Sequence, residues 1–291
     1  PLAMAFRENA LVTALAVAFA LVIFVIGTFA LVDSRTLFAA HQGPGAFYAV
    51  IPHGVMVWLF GAAFLYAVAA IVVGFFRFRA ITEDRTGLFG GTAQAGHDAA
   101  RLTYLEGGGI GETQAGCPYP GEAPGTARRT FHHLTAGGFM LCFAATCIAT
   151  FHHYLLGWIA PYSFYSLPVV FGTLGGIGLI VGPAGLLALD ALARREGQGE
   201  PDGGPGDPAR MALDSGFSLL LMLTSLTGFA LLFWRHTGAM GMLLAIHLGI
   251  VMALFVTLPY GKFIHGIYRF AALARYAREQ KAAARGQAQE G

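Results

Sequence analysis

The stretch Ala239 to Gly266, AMGMLLAIHLGIVMALFVTLPYGKFIHG, most limits what this chain can become. It is long enough to cross a bilayer as a helix, which needs about 20 apolar residues. Two histidines lie in it, His247 and His265, eighteen residues apart. At about 3.6 residues per turn this is roughly five turns, so both rings leave one face, roughly 27 Å apart along the axis. One imidazole then lies near each side of a hydrocarbon layer about 30 Å thick. A ligating side chain inside a membrane is expensive, so it faces the bundle interior and marks a functional site. The spacing predicts two haems, one above the other. Pro259 is expected to kink the helix between them, because proline removes a backbone donor and clashes one turn back.

The rest of the chain fits that setting. It is 56% hydrophobic and only 12% charged over 291 residues, a polytopic membrane composition. The fold expected is all-α, a six-helix transmembrane bundle with both termini cytoplasmic. Spans are read at about Ala10 to Val32, Phe47 to Phe76, Phe131 to Trp158, Ser166 to Ala191, Gly216 to Trp234 and Ala239 to His265. Residues 1–76 hold the first two spans, 77–130 a cytoplasmic loop, 131–191 spans three and four and 192–215 a cytoplasmic connector. Residues 216–266 hold spans five and six, and 267–291 a cytoplasmic tail. The haem-binding core is 131–266.

Charge sets the orientation. Arg77, Arg79, Arg85, Arg101, Arg128 and Arg129 lie between spans two and three, and Arg194, Arg195 and Arg210 between spans four and five. Lys262, Arg269, Arg275, Arg278, Lys281 and Arg285 lie at or after the end of span six. The opposite side carries only Arg35 and Arg235. Basic residues stay inside.

Three features are set aside. The glycines of 107–111, GGGIG, neither follow a strand nor precede G-K-[ST], so they make no phosphate loop. Cys117, Cys142 and Cys147 form no C-x-x-C pair and cannot supply four thiolates to an iron–sulfur cluster. Cys142 and Cys147 read as small buried hydrophobes in span three. Gly172/Gly176 and Gly178/Gly182 in span four permit close helix approach or room for a flat macrocycle.

Span three mirrors span six, with His132 and His133 at one end and His152 and His153 at the other. Helical phase favours His132 with His153 on one face. By depth, His132 or His133 meets His265, and His153 meets His247. Two axial imidazoles fill both faces of a haem iron, which suits electron transfer. The other nitrogen of each ring is expected to donate to a carbonyl or hydroxyl. His53, near the outer end of span two, can replace His153 or line a quinone pocket. His41, His97 and His236 read as solvated. Thr224, Ser225 and Thr227 in span five read as bonding their own backbone. Lys262, Arg269, Arg128 and Arg129 are placed to pair with haem propionates or with lipid headgroups. A histidine-lined transporter or metal permease is the alternative from another class, and a haem-free anchor for a dehydrogenase is a third.

Several strings carry a resemblance. RLTYLEGGGIG with CPYP, RRTFHHLTAGGFMLCFAATCIATFHHYLLGW, LPVVFGTLGGIGLIVGPAGLL and AIHLGIVMALFVTLPYGKFIHGIYRF resemble the tricarballylate utilisation protein B (TcuB, or CitB-type) family, most specifically from Arg101 to Phe270. LPYGKFIH also resembles the gamma-type cytochrome b subunits of nitrate reductase and heterodisulfide reductase. The resemblance implies a carrier in the bacterial inner membrane with haem b and iron–sulfur centres. It would reoxidise the flavin of a soluble FAD-dependent tricarballylate dehydrogenase and pass electrons to quinone, with no nucleic acid involved. His132, His133, His153, His247 and His265 all lie in the matching strings. The family's N-terminal cysteine-cluster module has no counterpart here. The 4Fe-4S clusters are therefore expected only if that module is missing from this sequence, which the initial Pro favours, or on another subunit.

Overall fold

In the computed structural model the described residues are 10–81, 97, 126–195, 208–261, 263–264, 266–268, 270–272, 275–276 and 279. His265, Lys262, Arg269, Cys117, the 107–111 glycines and most of the loop, connector and tail lie outside them. Every regular element among the described residues is helical: α1 Ala10–Leu31, α2 Ser34–Leu37, α3 Ala46–Val50, α4 His53–Ile81, α5 Thr126–Leu156, α6 Leu167–Arg195, α7 Pro208–Trp234 and α8 Met240–Thr257. Six of them, α1 and α4 to α8, are long and apolar enough to cross a membrane. Phe19 and Leu65 are each 67% exposed and Val73 54%. Large side chains exposed along whole helices suit lipid, not water. This is the architecture of a multi-pass membrane protein.

The expected second span is shorter at its start. Pro52 cannot donate to a helix ladder, so Phe47 to Val50 form the separate short helix α3, and α4 begins at His53. Proline acts again after α8. The regular helix stops at Thr257, and Leu258–Tyr260 form a 3-10 turn containing Pro259. The five-turn phase between His247 and His265 does not carry through such a break, because a 3-10 turn advances at about three residues per turn.

The chain divides into two compact units. The first comprises residues 1–66 and 130–257. Within it α8 packs on α1 and α7, and α7 packs on α6. Glycines bring α6 against α5. A Cβ at Gly175 would lie 2.7 Å from the Gly138 carbonyl oxygen, and one at Gly178 2.8 Å from that of Leu134. A Cβ at Gly182 would meet the backbone at Thr135 and Phe131, and one at Gly185 the Phe131 ring. The seam 175, 178, 182, 185 spans about 15 Å of helix. Gly182 and Gly178 thus serve close packing rather than a macrocycle slot, while Gly176 turns away to Phe229 of α7. Cys142 sits half-buried in the seam under Gly175 and Cys147 is exposed, so the expected burial is met in part by the first and not by the second.

One end of this unit is capped. Leu37, Ala46, Val50, Ile51, Leu231, Met240 and Leu244 bury one another there. Gly238 and Gly241 have no side chain because the Phe38 and Leu37 carbonyls lie against them. The Gly45 N–H donates to the Ala160 carbonyl at 2.7 Å. Gly157, at φ +68°, ends α5 in a left-handed conformation that glycine adopts without steric cost.

The second unit comprises residues 67–129 and 258–291. In it the Tyr268 hydroxyl lies over Gly74, where a Cβ would be 2.7 Å away. The Tyr268 ring sits 5.0 Å from that of Phe78.

Candidate functional site

His247 is set inside α8, seven residues from its first residue, or about 10 Å of helix. Its Nδ1 lies 3.0 Å from the Thr227 hydroxyl of α7. Gly228, the next residue, leaves room for the ring: a Cβ there would be 3.2 Å from His247 Cε1 and 3.7 Å from Nδ1. Thr227 does bond its own backbone, as expected, at 2.7 Å to the Leu223 carbonyl. Sequence alone did not show that it also holds the imidazole, because that requires knowing which face of α7 meets α8. Thr224 bonds the Leu220 carbonyl, whereas the buried Ser225 hydroxyl has no partner among the described residues.

A second group gathers at the capped end. His53 begins α4 and His153 ends α5. Their rings stack at 4.1 Å between centroids, 28° from parallel. Tyr48 of α3 meets both edge-on, at 4.8 Å from His53 and 6.0 Å from His153. Tyr154 stands edge-on to His153 at 4.9 Å, and its hydroxyl is 3.3 Å from His53 Nε2. Burial, followed by the nearby Tyr154, raises the Tyr48 phenol above its ordinary value. Stacked this closely, His53 and His153 cannot take opposite faces of one iron, because no porphyrin plane fits between them. The stacking leaves both sequence alternatives for His53 open, a substitute for His153 or the lining of a quinone pocket.

His152 turns to the other side of α5 and is buried between Trp158, at 4.8 Å, and Tyr162, at 5.6 Å. The Nδ1 atoms of His152 and His153 are both buried without a hydrogen-bond partner. Native proteins rarely leave a buried polar atom unpaired, and one that stays so marks strain, chemistry or a bound water or ion. Beside them Arg235, just past α7, is buried and donates from Nη1 to the Tyr162 carbonyl at 2.6 Å. Its Nε donates to His236 Nε2 at 3.2 Å, and its guanidinium carbon lies 4.1 Å over the Phe164 ring. Burial lowers its pKa from the ordinary guanidinium value. His236 therefore accepts a bond instead of standing free, and His41 is held by the Thr36 carbonyl at 2.8 Å.

His132 and His133, two turns into α5, are exposed, with rings edge-on at 6.3 Å. His265 lies outside the described residues and in the second unit. His247 and His153 make no ring contact or hydrogen bond with each other. The six histidines thus fall into a tethered residue within a span, a stacked pair at the cap, an exposed pair and His265.

Two of these imidazoles have the donor chemistry a haem would use. A histidine ligand needs one nitrogen toward iron and the other held, and His247 has Nδ1 held. His153, like His152, offers a buried nitrogen with no hydrogen-bond partner among the described residues. Among the described residues no three His, Cys, Asp or Glu side chains converge. A haem asks for only one side chain on each face.

Six apolar helices, with imidazoles at the cap and within a span, define a class: an all-helical, multi-pass membrane protein. The family described as Citrate utilization protein B matches residues 5–286, and the chain belongs to it. It is similar to Citrate utilization protein B of Escherichia coli, 46% identical over 277 residues, covering 95% of this chain and 69% of that relative. No solved structure matches the chain.

Proposed function

We propose that this chain is the b-type cytochrome portion of a carboxylate-oxidising system in the bacterial inner membrane, with both termini cytoplasmic. The relative's name points to citrate utilization. The finer reading, tricarballylate oxidation by a soluble flavin dehydrogenase with electrons passed to quinone, rests on the strings from Arg101 to Phe270. Iron–sulfur centres would come from another segment or subunit, since the cysteines here cannot hold one.

The observation that carries the reading is His247, an imidazole within an apolar span, roomed by Gly228 and held by Thr227. A histidine within an apolar span costs free energy unless it is partnered, and by default it marks a functional site. Haem b, when bound, supplies a one-electron centre. The protein's own part is to hold the ligand rings. α7 orients His247, the α3 and α5 side chains orient His153 or His53, and the apolar spans exclude water. Arg235 adds a fixed positive charge at the capped end.

The test is the reduced-minus-oxidised visible spectrum of the detergent-purified chain, followed by reoxidation with a short-chain quinone. Bis-histidine low-spin b-type bands that fade on adding quinone are expected. A folded but colourless protein overturns the proposal.

A further inference from the structure

We infer that Thr227 is a positioning residue that fixes which nitrogen of His247 faces iron and holds down the reduction potential of that haem; this rests on the haem reading above.

Thr227 Oγ1 has three neighbours: the Leu223 carbonyl at 2.7 Å, the Thr224 carbonyl at 3.2 Å and His247 Nδ1 at 3.0 Å. A hydroxyl has one proton to give and two lone pairs to receive with. Two oxygens 2.7 Å apart need a proton between them, so the hydroxyl donates to Leu223. Its lone pairs then face His247, and Nδ1 must carry the ring proton. The chain of bonds runs from His247 Nδ1–H to Thr227 Oγ1, and from Thr227 Oγ1–H to the Leu223 carbonyl. The carbonyl polarises the hydroxyl, and the hydroxyl draws on the imidazole proton; linked bonds in an apolar interior strengthen one another. Nε2 is left with its lone pair available, so it is the ligating atom.

The electronic consequence has a definite sign. An imidazole whose N–H is drawn toward an acceptor donates more strongly to iron and favours the ferric state. That lowers the potential. Thr227 lies on α7 and approaches the ring from the side away from Nε2, so it tunes iron only through His247. Gly228 completes the seat: a methyl there would stand 3.2 Å from Cε1 and rotate or push the ring.

Thr227→Val keeps the shape and removes the hydroxyl acceptor, leaving the Thr224 carbonyl as the remaining backbone acceptor for the ring. It should retain haem and raise the midpoint potential of one haem in a spectroelectrochemical titration. Each tenfold change in the oxidised-to-reduced ratio appears as about 59 mV for one electron. Thr227→Ser should return the potential to that of the parent protein. Gly228→Ala should change the rhombic splitting of the low-spin ferric electron paramagnetic resonance signal. A haem-loaded Thr227→Val protein with unaltered potential overturns this inference and leaves the proposed function standing. A parent protein without haem overturns both.

Discussion

The two ends of α5 each carry a histidine pair, yet the structure treats them oppositely. At the capped end His152 is enclosed by Trp158 and Tyr162, and His153 is stacked on His53 with a buried, unsatisfied nitrogen. At the other end His132 and His133 are exposed. The same dipeptide gives a built site in one place and an open surface in the other. What differs is the surroundings: Tyr48 of α3, Trp158 and Tyr162 surround the first pair, and Arg235 ties down the Tyr162 backbone. The second pair's expected complement, His265, follows the break at Pro259.

The largest effect should come from destroying the seam that positions both pairs. Gly182→Leu places a branched side chain against the backbone of Thr135 and Phe131. Backbone cannot give way as a side chain can, so the cost should exceed the roughly 1–3 kcal/mol typical of overpacking. Fluorescence-detected size-exclusion should show loss of the monodisperse peak.

Next in size is the contrast within the capped pair. His153→Ala should remove the absorbance of one of the two haems, with His53→Ala as the control for an exchanged ligand. His152→Phe should keep the spectrum and leave thermal stability level or higher, because it replaces an unsatisfied buried nitrogen by an apolar ring of similar shape. Equal haem loss in His152→Phe and His153→Ala would erase the distinction between the two sides of α5.

Arg235→Lys tests the tie at the cap. Hydrogen bonds to charged groups contribute about 1.5–3 kcal/mol. Lysine lacks the planar fork that reaches the Tyr162 carbonyl and His236 while lying over Phe164. A melting temperature lowered by several degrees is expected, with the haem spectrum retained.

The smallest effect on stability belongs to the exposed pair. His132→Ala and His133→Ala should each stay within about 0.5 kcal/mol of the parent. Only one of them should lower haem content, which would settle the choice that helical phase made in favour of His132.

Much of this was legible in the sequence. Six spans, the break at Pro259 and the membership of His153 and His53 in one group follow from apolar length, proline chemistry and depth. The glycine seam was half visible: Gly178 and Gly182 were found as a small-xxx-small pair, while Gly175 and Gly185 needed the longer 3-4-3 spacing along α6. Span two begins later than apolar length alone suggests, because Phe47 to Val50 are as apolar as a span and only Pro52 separates them from it. Thr227, Gly228 and Arg235 were not legible as site residues. Their roles depend on which helix faces come together, and hydropathy along a uniformly apolar helix does not encode that.

The most direct measurement is the haem-to-protein ratio of the purified chain by pyridine haemochrome, for the parent and for His247→Ala. Two haems per chain falling to one on loss of the tethered imidazole is the predicted result. A ratio of zero in the parent, or one that the substitution leaves unaltered, contradicts the claim that the imidazole in α8 is there to hold iron.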